Sequence, residues 1–165
     1  MQFKSKNGNI YEEIVLPSND YMRQQGVLLH MRIMAIDYGD ARTGLAVSDA
    51  MGILCGEAWT MEEWDSVRAA KKISEEAARR GVERLVLGLP KNMDGTEGPR
   101  AEKCREFKAL LEQESGLPVV LWDERRTSIE AHAILHSVGK KEKQHRKTVD
   151  AVAAGLILEG YLGSI

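Results

Sequence analysis

Aromatic side chains are scarce in this sequence: phenylalanine, tryptophan and tyrosine together make up 5% of 165 residues. A broad base-stacking platform is therefore not expected. Cysteine is scarcer still, with Cys55 and Cys104 alone. Neither belongs to a paired-cysteine zinc pattern, and two thiols in a chain of this size suit a reducing compartment. No apolar run approaches the ~20 residues that a membrane helix needs. The first apolar cluster is too short and too interrupted for a signal peptide, so a cytoplasmic protein with no membrane partner is expected. Neither sign of charge prevails: 23 Lys and Arg stand against 25 Asp and Glu, a formal net charge of −2. Any nucleic-acid partner must then be met by local basic patches and not by the overall field. Internal repeats and low-complexity segments are also missing.

What is present is ordinary for a globular chain, with 43% apolar and 29% charged residues. The length fits one domain. The stretch from Met31 to Asp49 organises the reading. Ile33 to Ile36 is a short apolar run, compatible with a strand buried on both faces. It ends on Asp37, and Gly39, Asp40 and Gly44 supply turn residues before a second strand through Val47. A carboxylate thus ends the most buried strand of a hairpin. That is costly unless the charge is paired or binds a metal, although Asp37 could instead order the turn.

Downstream, Ile53 to Trp59 reads as a third strand. Thr60 and Glu63 have capping-box spacing and open a helix to about Arg80, with Val67, Ala70, Ile73, Ala77 and Ala78 on one stripe. Arg84 to Gly88 is a short strand of the kind a parallel sheet buries. The loop Gly88 to Gly98 follows, at the strand end where open α/β sheets place ligands. Pro99 starts the next helix, which carries Cys104, Phe107, Leu110 and Leu111 and stops at Gly116. Pro118 to Trp122 is another buried strand, ending on Asp123-Glu124-Arg125-Arg126. Thr127 and Glu130 suggest a further helix to Gly139. The basic run Lys140 to Lys147 precedes a last helix to Leu162. Helical spacing puts its Asp150 on the face of Ala154, Ile157 and Tyr161, toward the core. Three meander strands followed by βα units predict an α/β fold: a mixed five-stranded sheet, antiparallel and then parallel, flanked by helices.

Three acidic points stand out in that topology: Asp37, the pair Asp123-Glu124, and Asp150. Carboxylates at the carboxyl ends of the first and last strands would converge at one sheet edge. They repel one another unless a divalent cation sits among them. Mg²⁺ suits oxygen ligands, with Mn²⁺ as the alternative.

Four motifs fall in order along the chain: Ile-Asp-Tyr-Gly with Arg42 and Gly44, Gly-Leu-Pro-Lys-Asn-Met-Asp-Gly-Thr-Glu, Asp-Glu-Arg-Arg-Thr-Ser, and Asp-Ala-Val-Ala-Ala-Gly-Leu-Ile-Leu. In these the chain closely resembles the YqgF family, also called RuvX, from about Met31 to Leu162. The resemblance implies a ribonuclease H-like fold. It implies a nuclease for the 5′ end of pre-16S ribosomal RNA, or alternatively a Holliday junction resolvase. Carried over by motif, Asp37, Glu124 and Asp150 would be the catalytic, metal-binding acids. Arg126 stands where many members have Leu or Phe.

Around these acids, Arg42 and Arg125 could contact phosphate, because a guanidinium matches its geometry. Ion pairing is the competing role for both. Asp123 could replace Glu124 as ligand if the strand register slips by one. Lys91, Asn92, Thr96 and Arg100 lie on or just after the loop beside the site and are expected to touch substrate, whereas Asp94 reads as a turn residue. Lys140, Lys141 and Lys143 could track a polyanion, and their competing reading is a solvated loop. His132 and His136 have zinc-compatible spacing but no further ligand near in sequence, so packing or exposure is expected. Trp59, Trp64 and Trp122 read as core or rim. A phosphotransferase of the actin-like type would need a second half-site, and a non-catalytic RNA-binding module would not need three acids at three motifs. Monomer and homodimer both remain open. Residues 1–30 lie outside the family pattern and residues 31–165 form the expected nuclease domain. Two readings of residues 1–30 stand side by side: Met31 as the natural start, or a real extension that adds an edge strand.

Overall fold

The computed structural model describes residues 31–126 and 146–165. Five strands form one sheet: β1 (Ile33–Asp37), β2 (Arg42–Ser48), β3 (Cys55–Glu62), β4 (Arg84–Leu89) and β5 (Val119–Asp123), in the order β3-β2-β1-β4-β5. The first three are antiparallel neighbours, and β4 and β5 run parallel to β1. The expected meander and crossovers are therefore present, and β1 is the central strand. Helices α1 (Ser66–Arg79), α2 (Pro99–Ser115) and α3 (Arg146–Leu162) cover the sheet. None of the helices among the described residues is long and apolar enough to cross a membrane.

Strand alternation sorts the core into two layers. Met34 and Ile36 of β1, Leu45 and Val47 of β2, and Leu85, Leu87 and Leu89 of β4 face α1 and α2, against Ala70, Ile73, Phe107 and Leu111. Ile33, Ala35, Ala46, Val86 and Trp122 face α3, against Ala154, Ile157, Leu158 and Tyr161. The α3 side of the inner strands is built from smaller residues. Gly44 and Gly88 extend that small surface. A Cβ at Gly44 would stand 1.9 Å from the backbone oxygen of Asp150, and one at Gly88 would stand 2.7 Å from Ile157 Cδ1. Gly44 is required by the close approach of the α3 backbone; at Gly88 the neighbouring atoms are the ends of side chains, Ile157 and Glu124.

Local boundaries depart from expectation around α1. The edge strand β3 runs on through Glu62, because Thr60, Met61 and Glu62 continue the ladder opposite Gly44, Thr43 and Arg42. Thr60 therefore lies within β3 and not at the start of α1. Asp65 is the N-cap, accepting from the backbone N–H of Arg68 at 2.8 Å. Glu63 instead accepts from the N–H groups of Trp64 and Asp65. The buried stripe is Ala69, Ala70, Ile73 and Ala77, whereas Val67 and Ala78 are exposed. The stops are as expected: Gly81 and Gly116 both adopt left-handed backbone, at φ 65° and 66°. The expected helix from Thr127 to Gly139, the histidines 132 and 136, and the leader 1–30 lie outside the described residues.

Gly44→Ala is expected to destabilise the fold, because backbone opposes backbone at that point. The cost should be about 1–3 kcal/mol or more, read as a lowered midpoint of urea unfolding.

Candidate active site

Parity along β1 decides where Asp37 points. Ile33 and Ala35 face α3, so Asp37 does too, directly opposite Gly44 in the β1–β2 register. Asp150 sits in the first part of α3, and its backbone oxygen lies over Gly44. From the other side, β5 ends at Asp123 and the chain turns into a short 3-10 segment, Glu124–Arg126. The Glu124 side chain then reaches back over β4: a Cβ at Gly88 would be 2.6 Å from Glu124 Oε1. The expected convergence of Asp37, Glu124 and Asp150 at one end of the sheet is thus present in the fold.

Electrostatics confirm their proximity. Burial pushes Asp37 up to about 6, and the charge of Asp150 pushes it the same way. Burial and the charge of Asp37 push Glu124 up to about 7. Asp150 is also raised, chiefly by burial, against the opposing influence of Arg42. Asp37 is the shared neighbour of the other two. Among the described residues, no three His, Cys, Asp or Glu side chains are gathered closely enough to hold a metal ion as they stand. Asp150 is instead bonded to Arg42, whose Nε donates to Oδ2 at 2.9 Å.

Cations flank the acids on three elements. Arg42 comes from β2 and meets Asp150, so the ion-pair reading holds for it in this structure. Arg125 grips Asp123, with Nε 3.0 Å from Oδ1 and Nη2 2.6 Å from Oδ2. That clamp holds the Asp123 carboxyl below its ordinary range. The neighbouring acids therefore part company, one neutralised by arginine and the other facing Asp37. Arg100, in the first turn of α2, is close enough for its charge to oppose the upward shifts of both Asp37 and Glu124. The sequence groups it with the loop residues beside the site. Its position two residues into α2, just past Gly98, was the available signal.

The loop after β4 is closed on itself. Lys91 pairs with Glu97 at 3.3 Å, and the Asn92 side chain donates to Thr96 Oγ1 at 2.8 Å. Asp94 accepts from the Thr96 N–H at 2.9 Å, ahead of Gly95 at φ 89°, as its turn role requires. Of the tryptophans, Trp122 is buried and Trp59 lies under the Arg80 guanidinium at 4.1 Å. Trp64 is 79% exposed, outside the core and at the rim of a surface hollow. Lys140, Lys141 and Lys143 fall outside the described residues.

With this geometry in hand, comparison with known proteins is decisive about kinship. Residues 31–164 match the family model described as "RuvX: Holliday junction resolvase". The chain belongs to the RuvX family. A relative from Acetivibrio thermocellus, named "Putative pre-16S rRNA nuclease", is 40% identical over 142 residues, covering 81% of this chain and 96% of that protein. A relative of the same name from Bacillus pumilus is 37% identical, covering 82% and 99%. Among solved structures, RuvC of T. thermophilus in complex with a Holliday junction substrate superimposes with a TM-score of 0.56 at 16% identity, covering 82% of this chain and 96% of that one. That likeness supports the ribonuclease H-like fold expected for the sheet.

The raised acids have a consequence for stability without added divalent cation. In the unfolded chain the two carboxyls ionise near 3.8 and 4.5; in the fold they ionise near 6 and 7. Between those values the folded state holds more protons, so its stability falls as pH rises. The slope is at most about 1.4 kcal/mol per pH unit for each group. Urea midpoints should therefore decline from about pH 5 to pH 7, above the range where lowered carboxyls such as Glu63 and Glu97 act in the opposite sense. Glu124→Gln should flatten the upper part of that decline, and Asp37→Asn should flatten the whole of it, because the charge of Asp37 also raises Glu124.

Proposed function

We propose that this chain is a metal-dependent nuclease whose catalytic and metal-binding carboxylates are Asp37, Glu124 and Asp150. The observation that carries the reading is the mutual opposition of these acids at the end of the central strand. Groups so perturbed by burial and by one another are candidates for chemistry. An all-carboxylate oxygen set fits Mg²⁺, with Mn²⁺ as the alternative. Bound there, divalent cations would supply an activated water and stabilise the leaving oxygen of a phosphodiester.

The protein's own side chains have separable roles. Asp37 is held by β1 and cannot move without moving the centre of the sheet. Arg42 holds Asp150 in place and can turn to phosphate when Asp150 takes a cation. Arg125 keeps Asp123 occupied, which favours Glu124 as the ligand of the pair. Arg100 stands by the acids as a contact for substrate phosphate. Lys91 and Asn92 contribute only where a strand displaces Glu97 and Thr96 from them. Lys140, Lys141 and Lys143 give the approaching polyanion a local counterweight in a net acidic chain.

The substrate we favour is pre-16S ribosomal RNA, after the names of the relatives, with cleavage at its 5′ end in the cytoplasm as part of the proposal. Residues 31–165 are the nuclease domain. Cleavage of a Holliday junction is the alternative, after the family model's description. It requires two active sites and hence a symmetric dimer.

Asp37→Asn, Glu124→Gln and Asp150→Asn should each reduce Mg²⁺-dependent cleavage of a pre-16S RNA fragment. The loss should exceed the 10–100-fold typical of changes outside the ligand set, with the far-ultraviolet circular dichroism unchanged. Undiminished cleavage by any one of them removes that residue from the mechanism. Cleavage of a four-way DNA junction but not the RNA fragment would favour the alternative.

Changing Lys140, Lys141 and Lys143 together to Ala should weaken RNA binding and leave the rate at saturating substrate nearly unchanged. Each phosphate contact on a single strand contributes a slope of about −0.7 in log affinity against log salt. The triple variant should therefore bind with a salt slope flatter by roughly two units. A wild-type slope would assign the run to solvent.

A further inference from the structure

We infer that a groove beside the acids is a subsite for one unpaired nucleotide, with Trp64 as the stacking face for its base and Lys103 and Arg100 as contacts for its phosphate. This rests on the nuclease reading and adds the form of strand that the site accepts. Two hollows lie side by side along α2. The smaller, about 100 Å³, has Arg100 in its wall; the larger, about 280 Å³, has Trp64 and Phe107 in its wall. Tyr38, Asp40 and Lys103 line both, so the two are one groove.

The inner end of this groove adjoins the acids. Tyr38 faces α2 and Asp37 faces α3, so the groove meets the acids round the end of β1, where Arg100 and Cys104 in its wall lie close enough to interact with both Asp37 and Glu124. The outer end combines aromatic rings with the polar side chains of Asp40, Ser66, Lys103 and Glu106. The Tyr38 ring lies on Phe107 with centroids 3.8 Å and planes 8° apart. Trp64 is 79% exposed beside them. A lone exposed apolar side chain is unremarkable on any protein surface. This one stands where a groove with Arg100 at its inner end and the Lys103–Asp40 pair midway reaches solvent.

A nucleotide has the matching chemistry: a flat base at one end and an anion at the other. Stacking on an aromatic side chain needs a base whose face is free, which a single strand offers and a continuous duplex does not. Two carboxylates also border the larger hollow. Asp40 is paired with Lys103 at 2.8 Å, so phosphate binding there has to share that ammonium group. Glu106 has oxygens able to accept from amino or imino hydrogens of a base. The scarcity of aromatics in the chain excludes a platform for several bases but is compatible with a place for one.

The test compares binding of a short 2-aminopurine-labelled RNA, single-stranded or fully paired, to the full chain and its Trp64→Ala and Trp64→Phe variants. The buffer holds Ca²⁺ in place of Mg²⁺. Trp64→Ala should weaken single-strand binding about tenfold or more and leave duplex binding unchanged. Trp64→Phe should restore most of the affinity. The label should be quenched by the wild-type chain and not by Trp64→Ala. Single-strand binding that Trp64→Ala leaves intact, or an equal loss for both forms of RNA, overturns the subsite alone. A wild-type chain that binds neither RNA nor a DNA junction overturns the nuclease reading and the subsite with it.

Discussion

The closeness of α3 to the sheet is the constraint on which the rest of this structure depends. It is set by residues too small to keep the helix away: Ala35 and Ala46 at the centre, Gly44 and Gly88 toward the end where the acids lie. With Gly44 directly opposite Asp37 in the ladder, the first described turns of α3 settle against the very place where β1 ends in a carboxylate. Asp150 is delivered to Asp37 by backbone packing and not by an attraction between side chains. The side chains themselves repel.

That repulsion is tolerated because the packing elsewhere is strong enough to impose it. The α1–α2 face carries Met34, Ile36, Leu45, Leu85 and Leu87, all fully buried. Burial of large aliphatic side chains stabilises by roughly 1.5–3 kcal/mol each, so a few carry the penalty of two raised carboxyls. The cations moderate it further, and each does so differently. Arg42 touches Asp150 directly, Arg100 acts on Asp37 and Glu124 through its field, and Arg125 removes Asp123 from the contest. Three arginines from three elements thus act on four acids: Asp123 and Asp150 are held in direct ion pairs, and Asp37 and Glu124 feel Arg100 through its field.

Much of this was legible in the chain. The apolar runs of β1, β4 and β5 are short, continuous and bounded by turn residues, which is what strands buried on both faces require. The inward face of Asp150 followed from helical spacing alone. The misreadings share a cause. β3 is an edge strand, exposed over much of its length, so its sequence from Gly56 to Glu62 carries little apolar alternation. Its extent is set by the pairing of Arg42 with Glu62, a relation between residues far apart. Thr60 and Glu63 then imitated a capping box within that strand. The same limit applies to side-chain partners. Nothing local to Arg42 announces an acid 108 residues away, and whether Arg125 meets phosphate or Asp123 depends on a bidentate geometry that only the turn after β5 creates.

The ambiguity between Asp123 and Glu124 shows how little backbone separates the two outcomes. On a continuing strand, adjacent residues would point to opposite faces, and one of the pair would have to face away from the site. Here the strand stops at Asp123 and the 3-10 turn begins with Glu124. The longer glutamate side chain can then reach back over Gly88, where any Cβ would meet it. An aspartate at the same place would be one methylene shorter and an alanine at position 88 would block the path. Side-chain length at 124 and the missing side chain at 88 therefore act as one feature. That pairing ties the last strand of the sheet to the first through a carboxylate held over the strand between them.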